Sequence, residues 1–207
     1  MSLELYLGFI AATLILCVMP GPVVTWLVAS GIRQGPRAAL SGLAGTTSAL
    51  IVHMGLVLVG LAPLLAALGP WAEAIRLAGA AYLVWLGIQA FRAPYEDPHL
   101  PEAAKNHANG RTLFRRGFII GVTNPKSLAF YAAFFPQFVD TSAPAGPQLL
   151  LLAATFVTVA TFSDGAFALA AGKLAPYLKG KRAQMLRNRI TGSVLVTAGV
   201  GLALSRR

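Results

Sequence analysis

Apolar runs of membrane-spanning length, separated by short polar segments, set the pattern of this chain. Residues 5–30 hold no ionisable side chain except the thiol of Cys17, residues 38–61 form a second run that closes before Pro63, and a third covers 71–91. Glu73 and Arg76 fall in the first turns of that third run, where long side chains can snorkel to an interface. Residues 92–116 change to Pro, Asp, Glu, Asn, His and basic residues, after which apolar runs return at 117–139, 149–171 and 190–204. A helix needs roughly 20 apolar residues to cross about 30 Å of hydrocarbon, so these runs predict six transmembrane helices. The expected fold is an all-α membrane protein, a single integral membrane domain over 1–207. Its first three-helix half is 1–91, its cytoplasmic loop 92–116 and its second half 117–207.

The first run is read as a retained helix rather than a cleaved signal peptide. Met1 to Tyr6 carries Glu4 and no Lys or Arg, and no Ala-x-Ala site follows. The bulky Leu16 before Cys17 likewise argues against a lipoprotein site. A composition of 56% hydrophobic and 12% charged residues over 207 positions fits a chain that faces lipid and not an ordinary soluble domain. The formal net charge of +10 would raise the question of nucleic acid in a polar sequence. Placement answers it. Arg33 and Arg37, then Arg92, Lys105, Arg111, Arg115 and Arg116, then Lys173, Lys179, Lys181, Arg182, Arg187 and Arg189 all fall in alternate loops. The positive-inside rule makes those loops cytoplasmic in a bacterial-type inner (plasma) membrane, with a multi-pass chain and no nucleic-acid partner. Arg206 and Arg207 then lie on the opposite side, which keeps a five-span alternative in view. Cys17, the single cysteine, excludes an intrachain disulfide and a cysteine-rich zinc site. Hydrolase, phosphate-loop and zinc-protease motifs are absent, so the expectation is no enzyme, no cofactor and no metal.

Three spans per half allow only an inverted repeat, the arrangement common in secondary transporters. Span one carries Pro20-Gly21-Pro22 and span four Asn124-Pro125-Lys126. An interior proline removes a backbone hydrogen bond and clashes with the turn before it, and in lipid such interruptions survive where they line protein or a wet cavity. The expected architecture is therefore two inverted three-helix repeats with broken helices one and four. Counted from the cytoplasmic ends, Lys126 lies about 13 Å in, Asp164 about 10 Å and the Pro20-Pro22 triplet about 15 to 18 Å. Each intramembrane charge costs roughly 2.5 to 3.5 kcal/mol on insertion scales, so Lys126 and Asp164 are expected to face each other or a wet cavity. A structural ion pair is the alternative. His53 falls about 22 Å along span two, where a neutral packing role competes with a proton-relay role. Gly31 with Gly35 and Gly117 with Gly121 are small-xxx-small pairs that read as close helix contacts. Phe130, Tyr131, Phe134, Phe135 and Phe138 read as an interface belt and packing surface, not a ligand cage.

These residues together are similar to the LysE/RhtB family of amino-acid exporters. The resemblance rests on Pro20-Gly21-Pro22, on Gly31, Arg33 and Gly35, on Gly79, Tyr82, Leu83 and Gly87, and on Asn124-Pro125-Lys126 leading to Pro136-Gln137-Phe138. It covers almost the whole chain and implies export of an amino acid or close derivative, driven by an ion gradient and without ATP. The site expected is Pro20, Gly21, Pro22, Asn124, Pro125, Lys126 and Asp164, with His53 and Gln137 as secondary members. The reading is a proton-coupled antiporter of a small, preferably neutral amino acid, whose partners are the amino acid, protons and the lipid bilayer; a homo-oligomer stays open. A metal-ion or other small-solute exporter and a non-transporting membrane assembly subunit are the alternatives.

Overall fold

A chain this apolar satisfies its backbone polar groups most simply within helices, because lipid offers no partner for a bare N–H or carbonyl. The computed structural model describes residues 1–18, 21–67, 72–93, 108–123, 131, 134–140, 142–171 and 181–204. Among the described residues there is no strand. The elements are α1 (Leu3–Val18), α2 (Pro22–Gln34), α3 (Pro36–Ala67), α4 (Ala72–Arg92), α5 (Gly110–Val122), a short 3-10 turn at Phe135–Phe138, α6 (Ala145–Leu169) and α7 (Lys181–Leu204). Pro36–Leu61 within α3 and all of α6 are long and apolar enough to cross a membrane. Large apolar side chains on both point outward, among them Ile51, Leu56 and Val59 of α3 and Leu150 and Phe162 of α6. Contiguous exposed apolar surface of this kind is a liability in water and the normal exterior in lipid.

Several helix ends lie beyond the hydropathy boundaries. The fourth run was expected to begin at 117, yet α5 starts at Gly110, because the Asn109 side chain caps it by accepting from the Thr112 N–H and hydroxyl at 2.9 and 2.8 Å. Arg111, Arg115 and Arg116 accordingly ride on a helix instead of lying in a loop. In the same way α7 begins at Lys181 rather than 190, and α3 continues through Pro63 to Ala67. Hydropathy marks where a helix meets lipid; capping and backbone geometry decide where it stops. Between α2 and α3 the turn is a single residue, Gly35, at φ +85° with its N–H bonded to the Gly31 carbonyl at 3.0 Å, a left-handed conformation that favours glycine.

Helix α3 is the centre of the packing, with α5 along one face and α6 along another. Its seam with α5 runs parallel: Gly45 meets the Phe114 carbonyl and lies 2.8 Å from the Phe118 nitrogen when a Cβ is placed on it, Gly117 meets the Gly42 carbonyl, and Gly121 meets Ala49. Backbone-to-backbone contact of this closeness needs glycine on both sides. Its seam with α6 runs antiparallel, from Ala39 beside Ala168 through Leu43 beside Gly165 to Met54, Val57 and Leu61 among Leu149, Leu152, Ala153 and Phe156. The described parts of α4 and α7 pack chiefly on each other, antiparallel, with Gly87 against Gly192 and Gly199 against Ala80. Gly45→Ala should lower stability by about 1–3 kcal/mol or more, since neither backbone can yield. Gly55→Ala, whose Cβ would meet nothing within 4 Å, should be neutral or stabilising by up to about 1 kcal/mol. Thermal unfolding of both variants in detergent checks the contrast.

Candidate functional site

The described part of α1 ends at Val18 and α2 starts at Pro22, preceded by Gly21 in extended conformation at φ −92°. Two sets of backbone groups are thereby released: the last carbonyls of α1 and the first N–H groups of α2. One α1 carbonyl is answered from a neighbouring helix, and the N-cap carbonyl of α2 accepts that helix's own first bonds. Ser163 on α6 donates its hydroxyl to the Cys17 carbonyl at 2.8 Å, and the Gly21 carbonyl accepts from the Thr25 N–H at 2.9 Å and hydroxyl at 3.0 Å. Proline at the first position of α2 has no N–H to satisfy, and the N-cap Gly21 has no side chain to cap the next ones, which leaves the positive helix end open to an anionic partner.

The Ser163 bond fixes the level of Asp164, the next residue on α6, beside the end of α1. Asp164 is half-buried, and no hydrogen bond or ion pair joins its carboxylate to another described residue. Three residues earlier, Thr161 shares a hydrogen bond of 3.3 Å with Thr47 of α3, and nearer the other end of α1 the Tyr6 hydroxyl pairs with that of Thr155 at 2.9 Å. A carboxylate and a set of hydroxyls bonded to α1 and α3 thus lie along α6, and α2 opens four residues after Cys17. Such a set suits a zwitterion: amide groups for a carboxylate, an anionic oxygen for an ammonium, hydroxyls for neutral polar atoms. Sequence reasoning singled out Gly21, Pro22 and Asp164 but missed Ser163, Thr47 and Thr161. Hydroxyls are common in apolar helices, and only the register of α1, α3 and α6 sets these apart.

His53 is not part of this group. It is buried on α3 with its ring centroid 6.1 Å from that of Tyr131. Taking the Thr47–Thr161 bond as the common level, it lies about 13 Å along the axis from Asp164. Gln137 sits half-buried in the 3-10 turn among aromatic rings. Phe9 of α1 holds those rings, 5.6 Å from Phe134, 5.5 Å from Phe135 and 5.2 Å from Phe138. Phe134 and Phe135 are buried, so this part of the expected aromatic belt is core packing. Pro20, Asn124, Pro125, Lys126 and Phe130 lie outside the described residues. At the end of the bundle where α2 closes and α3 and α5 begin, a polar cleft of about 220 Å³ is lined by Gln34, Arg37, Ser41 and Gly110.

The pattern of the LysE type translocator family matches residues 14–206. The chain belongs to this family. LysE members are transporters, which makes this protein a membrane translocator and not an enzyme. It is 34% identical over 207 residues to a homoserine/homoserine lactone efflux protein of Salmonella typhimurium, covering 100% of this chain and 99% of that one. An uncharacterized membrane protein of Vibrio cholerae is 30% identical over 206 residues, with 100% of both chains covered. A leucine efflux protein of Klebsiella pneumoniae is 27% identical over 201 residues, 96% of this chain and 94% of that protein. No solved structure matches.

In a LysE translocator with its site at the α1–α2 interruption, that position is reached by water whereas the outer face of α1 is not. With Cys17 replaced by serine, Gly21→Cys is expected to react with a small membrane-impermeant thiol reagent. Leu14→Cys, on an exposed apolar face, should stay inert because the thiolate that reacts needs water. Equal labelling of the two positions would contradict this placement.

Proposed function

We propose that this LysE member exports a small neutral amino acid or amino-acid derivative from the cytoplasm by proton antiport. The observation that carries the reading is the Ser163–Cys17 hydrogen bond, which sets Asp164 beside the end of α1, four residues before α2 opens at Gly21 and Pro22. The substrate carboxylate binds at the N-terminus of α2, where N–H groups and the helix dipole both favour an anion. Its ammonium is held by Asp164 and by carbonyl groups near Asn124. Lys126 keeps Asp164 ionised until a proton arrives from outside; protonation then releases both Lys126 and the ammonium. Because one proton and one ammonium compete for the same carboxylate, inward proton flow and outward substrate flow exchange. Efflux proteins named for homoserine, its lactone and leucine support a substrate with an uncharged side chain, since a second cation would want a second carboxylate.

Packing supports an arrangement of two inverted three-helix halves, with helices one and four broken. Helix α1 lies on α6 while α5 lies on α3, α3 faces α6, and α4 faces α7. Corresponding elements of the two halves thus exchange partners or pair with each other, as a two-fold axis in the membrane plane requires. Several described basic residues stand at helix ends: Arg33 closes α2, Arg37 opens α3, Arg92 closes α4, and Arg111 and Arg182 lie in the first turns of α5 and α7. By the positive-inside rule we place these ends in the cytoplasm, in the inner membrane of a bacterial-type cell.

Asp164→Asn keeps the size and loses the charge. In proteoliposomes under a proton gradient it is expected to reduce counterflow of homoserine or leucine at least about tenfold, as befits an intramembrane coupling acid. Wild-type rates in that variant would remove Asp164 from the coupling step. Full activity of the double variant Lys126→Met with Asp164→Leu would refute the whole cycle.

A further inference from the structure

Thr13 is buried completely, at 0% exposure, and its hydroxyl oxygen has no hydrogen-bond partner; among the described residues it is the one buried side-chain polar atom in that condition. The same hydroxyl chemistry elsewhere in the chain finds a partner readily. Thr25, Ser30, Ser41, Ser48, Thr123 and Thr158 each donate to the carbonyl one turn back in their own helix. Thr13 does not donate to Phe9 in this way, so its hydroxyl is turned off its own helix. A buried hydroxyl without a partner is costly and rare in a native interior unless something else occupies the position.

Its surroundings indicate what that is. Helix α1 is joined to α6 on either side of Thr13, by the Tyr6–Thr155 pair and by Ser163 on the Cys17 carbonyl. Thr13 lies between these two bonds, about 10 Å from the first and about 6 Å from the second along the helix. It also shares a face of α1 with Phe9 and Leu16, at the i, i+4 and i+7 spacing. Phe9 belongs to the core of α3, α6 and the 3-10 turn, whereas Leu16 packs both against that core and against Ala80, Leu83, Leu86 and Leu195 of the α4–α7 pair. Thr13 therefore lies on the face of α1 that carries Leu16, the residue shared by the two packing units, and about 7.5 Å of axial distance separates it from the level of Asp164. An amino acid with its ammonium at Asp164 and a short polar side chain spans that distance with a hydrogen bond at each end.

We propose that Thr13 is the specificity-determining contact for the side chain of the exported amino acid, and that its hydroxyl selects side chains bearing a neutral hydrogen-bonding group, such as a hydroxyl, over purely apolar ones. This rests on the export reading above. A neutral hydrogen bond to an otherwise unpaired buried group discriminates by about three- to tenfold or somewhat more.

The test compares homoserine and threonine with leucine and norvaline in proteoliposome counterflow for wild type, Thr13→Val and Thr13→Ser. Valine is nearly isosteric and removes an unpaired polar atom, so it places no load on the fold. In Thr13→Val the ratio of kcat/KM for the hydroxylated to the apolar substrates should fall about three- to tenfold; in Thr13→Ser it should stay near the wild-type ratio. Homoserine should raise the Tm of wild type in detergent and raise that of Thr13→Val less, a binding readout independent of flux. An unchanged substrate ratio in Thr13→Val, with wild-type flux present, overturns the role of Thr13 and leaves the export reading intact. Absence of wild-type flux for all four amino acids overturns the export reading and this proposal together.

Discussion

The hydrogen bond from the Ser163 hydroxyl to the Cys17 carbonyl holds the interior of this protein in register. A helix that stops inside an apolar solvent leaves carbonyls that lipid cannot satisfy, each costing several kcal/mol. One hydroxyl from a neighbouring helix answers this at Cys17 and ties α1 to α6 at a single level. From that level follow the position of Asp164, the approach of α2 toward the end of α6, where Gly31 lies against Ala168 and Ala171, and the height of the Thr47–Thr161 bond. Polar groups are few in this interior, so each one fixes more than it would in a soluble protein.

The glycine seam between α3 and α5 does complementary work. Where α1 and α6 are joined by directional bonds, α3 and α5 are joined by closeness, with backbone atoms taking the places of side chains at Gly42, Gly45 and Gly117. Association of helices in lipid gains nothing from the hydrophobic effect between them, and contact area and small polar terms decide it. The bundle thus has one seam that cannot be loosened without opening voids, next to a seam built of separable hydrogen bonds. Gln148 shows the same economy at the start of α6: its buried side-chain amide accepts from the Asp140 N–H and donates to carbonyls of Asp140, Ala143 and Pro144.

Much of this was legible in the sequence where residue chemistry alone sets the outcome. Apolar runs located helices, because lipid contact is written in composition; Gly21 and Pro22 stand at the start of α2, because proline and glycine act on the backbone directly; Asp164 was conspicuous as an acid among apolar neighbours. Helix ends were less legible. The polar first turns of α5 and α7 belong to their helices for reasons of capping and length that hydropathy does not see. The hydroxyls Thr13, Thr47, Thr161 and Ser163 were not legible at all. A threonine that bonds its own helix and one that faces a neighbour are the same letter, and the difference lies in which helices meet and at what level. His53 illustrates the reverse case: its chemistry drew notice, but its place on α3 sets it apart from Asp164.

Leu16 carries a consequence of its own. Its side chain packs on one side against the α3–α6 core and on the other against the α4–α7 pair, so at this residue the two bodies share a greasy bearing instead of a latch. The contacts of Leu16 itself contain no hydrogen bond, and acyl chains can replace them at nearly equal energy, since lipid tails are as apolar as leucine. Water cannot do so on the same terms. The bilayer itself, through whether lipid or water fills that gap, therefore sets the energetic cost of separating the two bodies.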